Sequence, residues 1–337
     1  KILRKYRNDG YIISQVVVPI QTIDGGNAKL RVVEGYIDDV TVRGDEENKS
    51  LVKIRAMARN LTQVRPLTAD TLERYLLLIN DLPGVRARSV ISPSETVVGA
   101  ADMNIIVTRE KAEYQVGLDN YGTRFLGPVQ MNGAAQIHNA FDWNENITLQ
   151  AVYTPGGELY YGSAALEVPI NSEGTILQLD TSRSSTRPGY TLEIFDAEGK
   201  AQRFGIGLEH PLIRTRNENL NIRARFDSLY QTNEDAILPK REDDIRSLRV
   251  GANYQSVNTF LGASVDTLDL QFSKGISILG ASEDSAATTR PGGTATYYKV
   301  NGQAERLQRI NSDFNLLFGA IGQWTSEELL ASEEFGV

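Results

Sequence analysis

The sequence predicts an α+β module followed by an all-β, antiparallel transmembrane β-barrel that is present in part. Three observations predict it. Helical spacing of apolar residues stops near residue 111, and strict alternation of apolar and polar residues takes over. The alternating runs reach about ten residues or more, longer than the roughly 5 to 6 of a soluble sandwich strand and near the roughly 9 to 11 that cross a bilayer. The connections alternate between short and long, as in transmembrane barrels with tight turns at one rim and long loops at the other.

Composition narrows the class. A chain of 337 residues can bury a sizeable core or close a large sheet. It has no cysteine, which excludes disulfides and Cys-based zinc or redox sites. A net charge of -8 argues against a nucleic-acid surface, which needs excess Lys and Arg on one face. No apolar run approaches the roughly 20 residues of a membrane-spanning helix; the longest is Tyr75 to Ile79. The opening KILRKYRNDGYIIS has neither the apolar core nor the cleavage site of a signal peptide, so the chain is expected to be a fragment that starts mid-domain.

Along residues 1 to about 110, VVVPIQ, AKLRVVEG and IDDVTVRG read as strands. In SLVKIRAMARNL, Leu51, Ile54, Ala58 and Leu61 lie at helical spacing. A second helix follows, capped by Thr68 or Asp70, with a stripe of Leu72, Tyr75, Leu76 and Ile79, and Pro83-Gly84 stops it. VRARSVI and ADMNIIVTRE complete a β-α-α-β-β order. From residue 112 ten alternating runs follow, from YQVGLDNYG to AERLQRINSDFNLLFGAIGQW, with LASEEFGV as an eleventh.

These runs keep a constant phase. One face collects Ile147, Leu149, Ala151 and Tyr153; Phe204, Ile206 and Leu208; Leu248, Val250, Ala252 and Tyr254; Leu268, Leu270 and Phe272; Phe314, Leu316, Phe318 and Ala320. The other collects charges of both signs, among them Glu167, Asp180, Glu209 and Asp269. A soluble sandwich gives the same period, because one sheet face is wet. Strand length, alternating loop length and aromatics near strand ends (Tyr121, Phe141, Trp143, Tyr153, Tyr160, Tyr161, Tyr230, Tyr254, Tyr297, Tyr298, Trp324) favour the barrel.

DGYIISQVVVPIQTIDGGNAKLRVVEGYIDDVTVRGD, PLTADTLERYLLLINDLPGVRARSVISPS, LDNYGTRFLGP and GQWTSEELLASEEFGV together resemble the two-partner secretion outer-membrane transporters, the hemolysin activation and secretion proteins of Gram-negative bacteria. The resemblance implies the end of a first POTRA domain at residues 1–45, a second POTRA domain at 46–111, and the first two-thirds of a barrel at 112–337, about eleven of sixteen strands. It also implies an outer-membrane location with the POTRA domains in the periplasm, a monomer in outer-membrane lipid, and unfolded passage of a large secreted partner of adhesin or hemolysin type. The family's plug helix and the arginine of its pore loop have no counterpart in this sequence, so none of its functional residues is carried over. A barrel-assembly insertase and a soluble all-β adhesin or binding protein are the alternatives.

The residues expected to contact a captured chain are Leu72, Tyr75, Val85, Arg86 and Arg88, on the second helix and on the strand after it, whose edge could accept an added strand. The lumen is expected to carry Arg203, Arg223, Arg225, Asp227 and Arg249, charged so that a passing chain is kept moving. No catalytic set, metal site or cofactor is expected: His138 and His210 lack ligand spacing, and no nucleotide loop occurs. The acids Glu327, Glu328, Glu333 and Glu334 read as a solvated charge run, and the sequons at Asn48, Asn60 and Asn146 as chance.

Overall fold

The computed structural model describes residues 1–21, 26–44, 51–237, 239–282 and 287–334. It opens with a short helix, α1 (Ile2–Asn8), which the sequence reading did not anticipate because all its residues stay accessible and leave no apolar stripe. A small antiparallel hairpin follows, β1 (Gln15–Val17) with β2 (Arg31–Val33). β1 is shorter than the run VVVPIQ suggests, since Pro19 has no N–H to give to a ladder.

The second module has the expected order: β3 (Ile37–Arg43), α2 (Leu51–Gln63), α3 (Ala69–Asn80), β4 (Val85–Pro93) and β5 (Ala101–Arg109). β5 is central, parallel to β3 and antiparallel to β4. Because β3 belongs to this sheet, the module begins at Ile37, ahead of the boundary expected at residue 46. That boundary and the Asn48 sequon lie outside the described residues. Thr68 caps α3 by accepting from the Thr71 N–H at 3.3 Å, and Asp70 adds a negative charge to its first turn. Leu51, Ile54, Met57, Ala58 and Leu61 of α2 and Leu72, Leu78 and Ile79 of α3 pack on Val85, Met103, Ile105 and Val107. One face of the three-stranded sheet is thereby covered, and the burial drives the module's folding.

β5 runs almost directly into an eleven-stranded antiparallel meander: β6 (Ala112–Asp119), β7 (Gln130–His138), β8 (Asn146–Tyr153), β9 (Leu159–Pro169), β10 (Ile176–Thr186), β11 (Glu198–Arg214), β12 (Glu218–Glu234), β13 (Arg241–Asn258), β14 (Ser264–Gly275), β15 (Tyr298–Arg309) and β16 (Asn315–Thr325). β6 and β16 form its edges and do not pair with each other. The number of strands agrees with the sequence reading, but their assignment differs at the end. AERLQRINSDFNLLFGAIGQW is two strands, reversed where the Asn311 Oδ1 accepts from the Asp313 and Phe314 N–H groups at 2.8 and 2.9 Å. LASEEFGV is not a strand: Ala331–Glu333 form a 3-10 turn, and residues 335–337 lie outside the described residues.

Residues paired across neighbouring strands share a face, and the register confirms the phase. Leu208, Ala224, Val250 and Phe272 follow one another across β11 to β14, as do His210, Ile222, Ala252 and Leu270. This outer face is apolar, with Phe204, Leu248, Val250, Leu270, Phe272 and Phe318 exposed on it. Tyr153 and Tyr160 pair on it at the rim away from the module, ring centroids 5.1 Å apart, and Phe272 and Tyr298 stack at 6.0 Å. Phe141 and Trp143 lie in a turn at the module-side rim. Two of the expected girdle aromatics belong elsewhere. Tyr161 pairs with Val152 and Ser184 on the inner face, and Tyr297 is buried with Ile245, Ala295, Leu329 and Leu330.

The module is fixed to the sheet by α3. Asp81 takes two hydrogen bonds from Arg214 at 2.7 Å, Glu73 accepts from the Arg216 N–H at 2.6 Å, and Arg74 donates to the Pro211 carbonyl at 3.1 Å. The Tyr75 hydroxyl donates to Glu173 at 2.8 Å, and Asn60 of α2 donates to the same carboxylate at 2.9 Å. Gly174 makes the approach possible. Its φ of +85° suits glycine, and a Cβ there would sit 2.6 Å from Leu78 and 2.9 Å from Pro211.

Candidate functional site

The inner face of β9 to β15 carries a row of charges fixed by the pleat, because every second residue of these long strands projects there. All five expected lumen residues lie on it. Asp227 is 3 % exposed and is the hub. It accepts from Arg203 at 2.9 Å, from Arg225 at 2.7 Å, and lies 3.0 Å from Arg249. Arg225 also reaches Asp180, two strands away. Arg223 stands apart, held by Asp269 through two bonds of 2.7 Å. Gly205 makes room for the Arg225 guanidinium: a Cβ at that position would lie 1.8 Å from its Nη2. These are paired charges in a fork geometry.

The sequence reading missed the two residues that complete the network. Glu333, taken for part of a solvated acidic run, is 6 % exposed. It receives a hydrogen bond from Arg249 at 2.5 Å and is ion-paired with the buried Lys299 of β15. Its burial follows from Leu329 and Leu330, which insert beside Ile245, Ala295 and Tyr297 and carry the 3-10 turn onto the inner face. Thr294 bridges to Leu329, and Arg290 donates to the Leu329 carbonyl at 3.2 Å and pairs with Glu334. The segment 329–334 is therefore latched to the wall and to the residues preceding β15. A cavity of about 540 Å³ opens beside it, lined by Arg203, Asp227, Arg249, Gln271, Lys299 and Glu333. The signal available in the sequence was the pair Leu329-Leu330 ahead of the acids, which a solvated run does not need.

The module residues expected to contact a partner fare differently. Leu72 and Val85 are core residues, inaccessible to a ligand. Tyr75 is committed to Glu173, and burial together with that hydrogen bond pushes its hydroxyl up to about 12. Arg86 is exposed but ion-paired with Glu110 at 2.6 Å. Arg88 is exposed on the helix-free face of the sheet.

A wide antiparallel sheet with an apolar outer face, a charged inner face and an α+β module clamped at one rim defines the wall of a membrane β-barrel. Residues 99–337 match the family described as haemolysin secretion/activation protein ShlB/FhaC/HecB, and residues 1–35 match the POTRA domain, ShlB-type. The chain belongs to the haemolysin secretion/activation family. It is 25% identical over 250 residues to the heme/hemopexin transporter protein HuxB of Haemophilus influenzae, covering 73% of this chain and 44% of that protein. It is 21% identical over 339 residues to the outer membrane transporter CdiB of Dickeya dadantii, covering 98% of this chain and 58% of that protein. The chain thus spans about half the length of these relatives. The solved structure of CdiB from Escherichia coli superposes with a TM-score of 0.78 at 20% identity, over 98% of this chain and 61% of that one.

Proposed function

We propose that the chain is the POTRA and barrel-wall part of an outer-membrane transporter that captures one secreted exoprotein, of adhesin or hemolysin type, in the periplasm and passes it unfolded to the cell surface. The observation that carries this reading is the continuity of the fold. A module with an open strand edge runs into a sheet whose outer face suits lipid and whose inner face carries a central belt of paired charges. Residues 37–109 act as the second POTRA domain, and the transporter works as a monomer in lipid. Family membership and the names of the relatives support the same reading.

Capture uses the edge of β4. Asn80 already occupies the Ala87 backbone, accepting from its N–H at 2.8 Å and donating to its carbonyl at 3.3 Å. Alternation leaves Ser89 and Ile91 as the next groups facing outward along that edge. The accessible edge is therefore displaced toward Pro93, away from Val85, and Arg88 flanks it. Deleting the gene is the test: release of a neighbouring large exoprotein should stop while other outer-membrane proteins stay at normal levels. A general loss of outer-membrane proteins would instead indicate a barrel-assembly insertase and refute the proposal.

A further inference from the structure

We infer that the module-side end of the inner face is an apolar sill, which receives apolar side chains of an extended polypeptide as it enters the lumen; this rests on the transport reading above. Val257, Val265, Leu307 and Leu317 are directly paired across β13, β14, β15 and β16, and so form one row on the inner face. Val257, Leu307 and Leu317 are 50, 44 and 64 % exposed. The next inner row is Gln255, Thr267, Glu305 and Gly319, and the one beyond it is Asn253, Asp269, Gln303 and Ile321. An apolar row thus precedes a polar wall.

The outer face changes in the opposite sense at the same height. On β14 and β15, Leu268 and Ala304 give way there to Asp266 and Arg306, joined by an ion pair at 3.1 Å, while on β16 Ala320 is followed by Phe318. On β14 and β15 the lipid-facing belt has therefore ended at this height, and the sill, which lies on the opposite face, is not a displaced part of it. Its inward direction excludes lipid and a second copy of the chain as occupants, since both would meet the outer face.

The sill is continuous with the module's docking surface. Val257 N–H donates to the Asn217 carbonyl at 2.7 Å, and the preceding Arg216 N–H donates to Glu73 of α3 at 2.6 Å. A chain leaving the module meets this row before any other inner row. Four strands about 4.8 Å apart span roughly 14 Å, the reach of about four extended residues. Burial against such a row is non-directional, so it accepts varied sequences.

The test uses the full-length transporter in detergent, with Leu307 replaced by p-benzoylphenylalanine, or Gln303 so replaced as the control. Each is irradiated with a fluorescent peptide of alternating valine and serine, and separately with one of alternating threonine and serine. At Leu307 the valine peptide should attach about tenfold more than the threonine peptide, and at Gln303 about equally. Adding Val265→Ser and Leu317→Ser should remove most of the preference at Leu307. Equal attachment of the two peptides at Leu307, or attachment of Leu307 to the transporter's own chain, overturns the sill. The peptide comparison does not depend on the gene-deletion result, so failure of the sill and failure of the transport reading are separately visible.

Discussion

Replacing Glu333 by Gln should release the segment 329–334 from the wall without unfolding the sheet. The carboxylate lies between Lys299 and Arg249, and it is the acidic partner of Lys299 among the described residues. Arg249 keeps Asp227 at 3.0 Å, whereas Lys299 is left as a buried ammonium with a carbonyl at 3.1 Å. Removing one member of a buried pair costs about 3–5 kcal/mol, which at 1.4 kcal/mol per decade is about two to three and a half orders of magnitude in the latch equilibrium. The sheet's own ladders are untouched, so the cost falls on the segment. The chain has no cysteine, so Leu330→Cys gives a single thiol at a position with 0 % exposure in the latched state. Maleimide labelling should accelerate at least a hundredfold when Glu333→Gln is added to that background. Lys299→Met with Glu333→Leu should bring the rate back to within about tenfold, because an apolar pair avoids the stranded charge. A labelling rate that changes less than threefold with Glu333→Gln would show that the ion pair does not hold the segment.

Gly174→Ala should loosen the module from the sheet by about 1–3 kcal/mol, since the residue is forced into a left-handed conformation against Leu78, and faster proteolysis between β5 and β6 would report it. Tyr75→Phe should weaken the same contact by about 1.5–3 kcal/mol, measured by the same proteolysis. A hydroxyl raised to about 12 binds its proton more tightly folded than unfolded, so its contribution is complete below pH 10 and lost as pH rises toward 12. The Phe variant should lack that part of the alkaline decline. Ile222→Arg places a charge on the outer face, at about 2–4 kcal/mol if near mid-bilayer, and should reduce heat-modifiable assembled barrel on gels. Arg223→Ala should leave assembly intact and alter ion conductance by freeing Asp269.

How much was legible in the sequence depended on the range of the interactions. The period of two fixed which residues share a face, so Ile222 and Arg223 could be assigned opposite sides from NLNIRARFDSLYQ alone. α2 and α3 were readable from helical spacing and the Thr68 cap, both local. The turn at 310–314 was missed because it has no Gly or Pro; the polar run Asn311-Ser312-Asp313 was its signal, and the Asn311 side chain makes it. Glu333 was misread because its partners are 84 and 34 residues away in sequence. Tyr75 was placed on the core-facing stripe, but its hydroxyl is claimed by Glu173, 98 residues on.

On the transport reading proposed above, the pairing of the inner charges changes what the wall can do to a passing chain. An unpaired arginine near a surface attracts a carboxylate at about 4 Å by roughly 4 kcal/mol, and several in a row would hold an acidic segment for long periods. Arg223 with Asp269, and Arg203, Arg225 and Arg249 around Asp227, offer the passing chain dipoles in place of monopoles. Both carboxylates and guanidiniums of the chain then meet a wall already satisfied, with little gained by stopping. On that reading, movement comes from the weakness of each contact and not from charge itself. The proposed capture sites are the places where the wall is not neutralised and polar: the edge of β4 beyond Asn80, where backbone groups are open, and the apolar row from Val257 to Leu317. Both lie at the module side of the paired charges, so under the proposed function the contacts that retain a chain come before the wall that lets it slide.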